Sequence, residues 1–170
     1  MKASSRSRAL TLRLTRGAAV AALYTVLTLL SAMLGLSSGV IQFRLSELLC
    51  VLPLFIPEAI GGLFIGCAVS NLITGCAVWD IIFGSIATLL GALGAYALRR
   101  IPEGFKWTAT LPTVLSNAVI VPFVLMYAYG VEDAYAFLFL TVGVGEIVCA
   151  GVGGYLFYRM LKPYSATLFR

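Results

Sequence analysis

The sequence predicts an all-helical, polytopic membrane protein: six transmembrane helices in one membrane domain covering residues 1–170, with both termini cytoplasmic. Three observations carry that prediction. The chain is 61% hydrophobic and 11% charged, with a mean hydropathy of +1.00. A soluble domain of this size lacks the polar surface to cover so much apolar side chain. Apolar runs recur along nearly the whole length, and a helix needs roughly 20 residues to cross the hydrocarbon core. The basic residues gather on alternate connections, as the positive-inside rule requires.

Helices are expected at about 14–36, 45–55, 57–74, 80–98, 110–129 and 134–161. Residues 1–16 are polar and basic, with Lys2, Arg6, Arg8, Arg13 and Arg16. The apolar run behind them is long for a secretory signal, and further spans follow, so it reads as a retained first helix. Ala18 and Ala22 stand four residues apart on one of its faces. Small residues at that spacing admit another helix closely, either from this chain or from a partner. Ser37–Gly39 reads as a turn and Val40–Phe43 as a short extended piece. Helix two is short, because Pro53 and Pro57 bracket its end and proline cannot continue the hydrogen-bonded ladder. Gly62, Gly66 and Ser70 line one face of helix three. Gly84, Ala87, Thr88, Gly91 and Ala95 do the same on helix four. Asp80 falls where an N-cap is expected. Arg99, Arg100, Glu103 and Lys106 make a polar loop. Helix five carries Pro112 in its first turn and Pro122 inside. The last helix reads as continuous through V-G-V-G-E-I-V-C-A-G-V-G-G.

With the N-terminus in the cytoplasm, six spans place all but one of the 12 Lys and Arg residues on cytoplasmic pieces. Arg44 is the exception. Asp80, Glu132 and Asp133 fall outside. Fusing helices two and three into one span would put Arg159, Lys162 and Arg170 outside, against the rule. The net charge of +5 therefore reflects topology and anionic lipid rather than nucleic-acid binding. The chain has no histidine, and Cys50, Cys67, Cys76 and Cys149 form no C-x-x-C pair. No metal site, cofactor or catalytic residue is expected, which counts against an intramembrane enzyme.

Polar residues within the spans are the candidate binding groups, since a charge at membrane depth costs roughly 2.5–3.5 kcal/mol on insertion scales. Glu146 lies midway along the last helix among glycines. It is a ligand acceptor, an internal partner of Arg44 or Asn117, or a protonated glutamate. Arg44 and Glu47 either line a pocket mouth or pair with each other. Asn71 and Asn117 bind ligand or bridge helices. Asp80 is a ligand group or a cap. Trp79 and Phe83 stack on a flat ring or join the interfacial aromatic belt. Glu58 reads as a helix-start residue.

The stretches F-R-L-S-E-L-L-C-V-L-P-L-F-I-P-E-A-I-G-G, W-D-I-I-F-G-S-I-A-T-L-L-G-A, P-T-V-L-S-N-A-V-I-V-P and V-G-V-G-E resemble the QueT family. The R-x-S-E, D-x-x-F-G-S and G-x-G-E elements are specific in combination. The resemblance implies the substrate-binding S component of an energy-coupling factor (ECF) transporter in a prokaryotic cell membrane, taking up a queuosine precursor: a 7-deazaguanine base or queuine. It implies a six-helix fold with an outer pocket. It also implies a module of two ATPases and a transmembrane coupling protein docking on Ala18 and Ala22. ATP is used by those partners, and transport proceeds by toppling of the S component. The alternatives are an S component for another small vitamin-like molecule and a membrane assembly subunit that binds none.

Overall fold

The computed structural model describes residues 2–37 and 41–169, with side chains of the first helix described from Ser7. Ser38, Gly39 and Val40, part of the expected turn and extended piece, lie outside the described residues; 41–44 are irregular. The chain runs back and forth six times. Helix α1 spans Lys2–Met33, 32 residues, or about 48 Å at the α-helical rise. It starts well before the expected residue 14 because residues 2–16 contain no glycine or proline and several good helix formers. It ends before residue 36, at Gly35, whose φ of 71° is open to glycine at little cost.

The second traverse departs from expectation. Leu45–Leu54 is a 3-10 helix of 10 residues with Pro53 inside it. Pro53 has no N–H to donate. The 3-10 rise stretches ten residues over about 20 Å, against about 15 Å for an α-helix. So short a segment thereby approaches the depth of a span. It runs through the middle of the bundle, with Leu49, Cys50 and Val51 almost wholly buried.

Helix α2 (Glu58–Ile73) returns along α1. A Cβ at Gly62 would sit 2.6 Å from Gly17 O, and one at Gly66 would sit 2.8 Å from Tyr24 Cβ and 2.9 Å from Ala21 O. The expected small-residue face is therefore the seam with α1. Gly75, at φ 74°, turns the chain into α3 (Val78–Ala97). Ala77, not Asp80, is the N-cap, and no side chain caps this helix. Asp80 lies in the first turn, where a carboxylate still favours the helix dipole. Gly91 packs against Thr113.

The expected polar loop 99–108 is wound into 3-10 turns at Leu98–Arg100 and Glu103–Thr110. Helix α4 (Leu111–Tyr129) ends at Gly130, φ 65°. The last traverse is not one α-helix. It comprises α5 (Tyr135–Glu146), a π-helical stretch (Ile147–Gly153) and α6 (Gly154–Leu161). The wide π turn brings Gly153 against Leu48 and Gly154 against Cys50 Sγ, seating the traverse on the central 3-10 helix.

Among the described residues, four helical stretches are long and apolar enough to cross a membrane: Ser7–Met33, Val78–Arg100, Glu103–Tyr129 and Tyr135–Leu168. Leu45–Leu54 and Glu58–Ile73 are shorter apolar helices. One end of the bundle is basic and tied. Arg13 Nε lies 3.3 Å from Glu58 Oε1, and Lys162 Nζ lies 2.6 Å from Glu103 Oε2. Tyr158 OH donates to Glu103, and Phe55 stacks on Tyr158 and Phe169.

The α1–α2 seam generates a paired expectation. Gly66→Ala should lower stability by about 1–3 kcal/mol through overpacking. Gly61→Ala, on the same helix with nothing within 4 Å of its Cβ position, should not destabilise. Thermal unfolding of the two variants in detergent checks both.

Candidate functional site

At the end opposite the tied basic cluster, a cavity of about 330 Å³ opens between the helix ends. That volume falls within the roughly 300–1,000 Å³ of small-molecule sites. Thr28 and Ala32 of α1 line one side, and Asn71 and Thr74 of α2 another. Asp80 opens α3, and Val121, Val124, Leu125 and Tyr129 come from α4. Gln42 and Arg44 close the fourth side. A recess of about 10 Å³, the scale of one water, leads on toward Glu146 and shares Gln42, Arg44 and Val121 with the cavity.

Local geometry explains this gathering. Gly145 has Gln42 O directly over its Cα, where any Cβ would overlap it. The 41–44 segment thus lies on α5 immediately beside Glu146. Ser31 Oγ accepts from Leu45 N at 2.9 Å, and Thr28 Oγ1 donates to Ser46 Oγ at 2.8 Å. Those bonds fix the start of the 3-10 helix and hold Arg44 at the cavity.

The candidate residues separate into three groups. Arg44, Asn71 and Asp80 line the cavity, and Glu146 lines its recess. Among the described residues Arg44 forms no ion pair within 4 Å, although Asp80, Glu47 and Glu146 all act on it electrostatically. Asn71 bridges helices, donating from Nδ2 to Asp80 O at 3.3 Å. Asp80 Oδ2 accepts from Tyr129 OH at 3.0 Å, while Oδ1 has no hydrogen-bond partner. Glu146, 8% exposed, and Asn117, 4% exposed, lie side by side. Yet Glu146 Oε2 and Asn117 Nδ2 both lack a partner at hydrogen-bonding geometry. Asn117 itself lines neither the cavity nor the recess.

Glu47 is turned away from the cavity and accepts a hydrogen bond from Tyr24 OH in the core. It does not pair with Arg44 within 4 Å. Trp79 and Phe83 lie outside the cavity. They stack on each other at 5.9 Å, 58% and 41% exposed. With Phe123 and Tyr127 they wall an apolar groove on the outer surface of α3 and α4. Ala18 and Ala22 are exposed on α1.

A cavity that joins an unpaired cation to buried carboxyl and amide groups has the chemistry to hold a polar ligand. A family model described as the QueT transporter matches residues 14–163. The chain belongs to the QueT transporter family. Neither the curated proteins nor the solved structures contain a match to it. QueT membership makes it a membrane transport protein for a small-molecule substrate, in keeping with its apolar helices.

Sequence reasoning missed Tyr24 and Tyr129. Tyr24 carries a readable signal, as the one aromatic residue in the first span. Tyr129 has none, because its partners Ala77 and Asp80 are 52 and 49 residues away.

Tyr24→Phe should leave Glu47 buried without its donor and lower stability by about 1–3 kcal/mol. Equilibrium unfolding of the purified variant measures the loss; an unchanged midpoint would show that Glu47 is satisfied otherwise.

Proposed function

We propose that this QueT-family protein is the S component of an ECF transporter and captures a queuosine precursor from outside the cell. The carrying observation is the cavity at the end away from the basic cluster, in which Arg44, Asp80 and Asn71 converge beside the recess of Glu146. A 7-deazaguanine base presents a ring N–H and an exocyclic amine as donors, and a carbonyl as acceptor. Asp80 and Glu146 supply the acceptors, and Arg44 the donor. Charge-assisted bonds of this kind contribute about 1.5–3 kcal/mol each. Val121, Val124 and Leu125 give the flat ring an apolar wall.

The exposed stripe Leu14, Ala18, Ala22 and Val26 supports partner docking, since two small residues between larger ones leave a notch on the outer face of α1. The proposed partners are a transmembrane coupling protein and two ATPases, which use ATP so that this chain needs no cofactor of its own. Transport then proceeds by toppling, which carries the loaded cavity to the cytoplasmic side. An S component for another small vitamin-like molecule keeps the same fold and docking face.

Glu146→Gln exchanges one acceptor oxygen for a donor and should weaken binding of 7-deazaguanine bases about tenfold or more. Calorimetry on protein in detergent reads this directly; unchanged affinity removes Glu146 from the site. Ala18→Trp should leave binding intact and abolish uptake in cells expressing the full transporter. Uptake at the wild-type rate would place the docking face elsewhere.

A further inference from the structure

Arg44 and Asp80 carry opposite charges and line the same cavity. In a low-dielectric site such a pair attracts strongly, and closure would satisfy both groups. Yet they remain more than 4 Å apart.

Asp80 is bonded instead to Tyr129 of α4. The tyrosine hydroxyl makes two hydrogen bonds. It accepts from Ala77 N at 3.1 Å and donates to Asp80 Oδ2 at 3.0 Å. The first bond uses the backbone N–H of Ala77, the N-cap residue of α3, whose own side chain cannot cap the helix. The hydroxyl is thus anchored to the helix start rather than free to follow the carboxylate. Gly84 completes the arrangement. A Cβ there would lie 3.0 Å from Asp80 Oδ1 and 3.2 Å from Asn71 Nδ2, so the missing side chain leaves the carboxylate its berth. Asp80 is 4% exposed, and its Oδ1 remains without a partner.

We propose that Tyr129 is a positioning residue that holds Asp80 away from Arg44, keeping an ion pair split so that a ligand edge bearing a donor beside an acceptor fits between them. The N–H of a lactam edge donates to Asp80, and its carbonyl accepts from Arg44. A ligand with a bare carboxylate meets the charge of Asp80, and one with only a cation meets that of Arg44. This selects neutral, lactam-bearing rings, and it rests on the substrate reading proposed above.

Two measurements on the intact protein in detergent test it. The first is the affinity of a 7-deazaguanine base for Tyr129→Phe, Asp80→Asn and the double variant. Tyr129→Phe removes only the hydroxyl. It should weaken binding at least tenfold, because Asp80 is released toward Arg44. Once Asp80 is neutral there is nothing to restrain, so adding Tyr129→Phe to Asp80→Asn should change affinity less than twofold. Additive losses would overturn the proposal, since a merely structural tyrosine acts independently of the charge at residue 80.

The second measurement needs no ligand. Cys76 lines the cavity, while Cys50, Cys67 and Cys149 are buried. Its rate of alkylation by a polar maleimide therefore reports cavity access. Tyr129→Phe should slow it several-fold, and Tyr129→Phe with Asp80→Asn should restore it, although both lack the hydroxyl. Equal rates in those two variants would overturn the proposal. If wild-type protein binds no deazaguanine base while the thiol behaves as expected, the substrate reading fails and the strut stands.

Discussion

The site depends on one missing side chain. Gly145 lets the backbone of Gln42 lie against α5, and every group at the recess follows from that contact. Arg44 comes over Glu146 because the segment two residues earlier is pressed onto the helix. The same contact starts the central 3-10 helix at the right height, where Ser31 and Thr28 of α1 bind its first turn. A methyl group at residue 145 would have to displace main chain rather than a mobile side-chain tip. The glycine thus couples the fold of the second traverse to the chemistry of the sixth.

The buried polar groups then divide by whether the protein satisfies them. Glu47 has Tyr24, Ser46 has Thr28, and Asn71 has the backbone of α3. These hold helices together. Among the described residues, Glu58 Oε2, Asp80 Oδ1, Thr113 Oγ1, Asn117 Nδ2 and Glu146 Oε2 have no partner. A buried polar atom left unpaired costs about 1–3 kcal/mol, which a fold without further purpose gains nothing by retaining. Of these, Asp80 lines the cavity and Glu146 its recess, and there the cost has a use: a ligand or water can supply the bonds that the protein withholds.

Much of this was legible before any coordinates. Composition and the distribution of Lys and Arg yield six traverses, because lipid thickness and charge translocation constrain every span alike. The glycine faces on the second and third full helices were readable from four-residue spacing, and they became seams as expected. Three features were not readable. The 3-10 character of Leu45–Leu54 comes from the distance ten residues must cover, which is a tertiary demand. The π-helical stretch answers to Leu48 and Cys50 on another traverse. Trp79 and Phe83 share helix α3 with Asp80, yet face outward while Asp80 faces in. Placing them needs the orientation of α3 against α4, which helical periodicity alone leaves open.

The two ends of the bundle differ in kind, and that difference bears on transport. At the basic end, ion pairs and stacked rings join the first traverse to the third and the second and fifth to the last: Arg13 to Glu58, Glu103 to Lys162 and Tyr158, Phe55 to Tyr158. At the other end the helix tips part around a polar cavity. The polar column beneath it narrows from about 330 Å³ at the mouth to about 10 Å³ at Glu146. Below that, Thr113, Cys50 and Glu47 are packed with no comparable space. A ligand entering from the open end therefore meets a floor of buried side chains and a tied lower end. Moving it onward through the bundle would break those packed contacts together, at many kcal/mol. Reorienting the whole bundle in lipid leaves them intact. The cost of that motion falls on the membrane-facing surface and on a partner able to receive it, which is why the exposed notch at Ala18 and Ala22 matters as much to the proposed cycle as the cavity does.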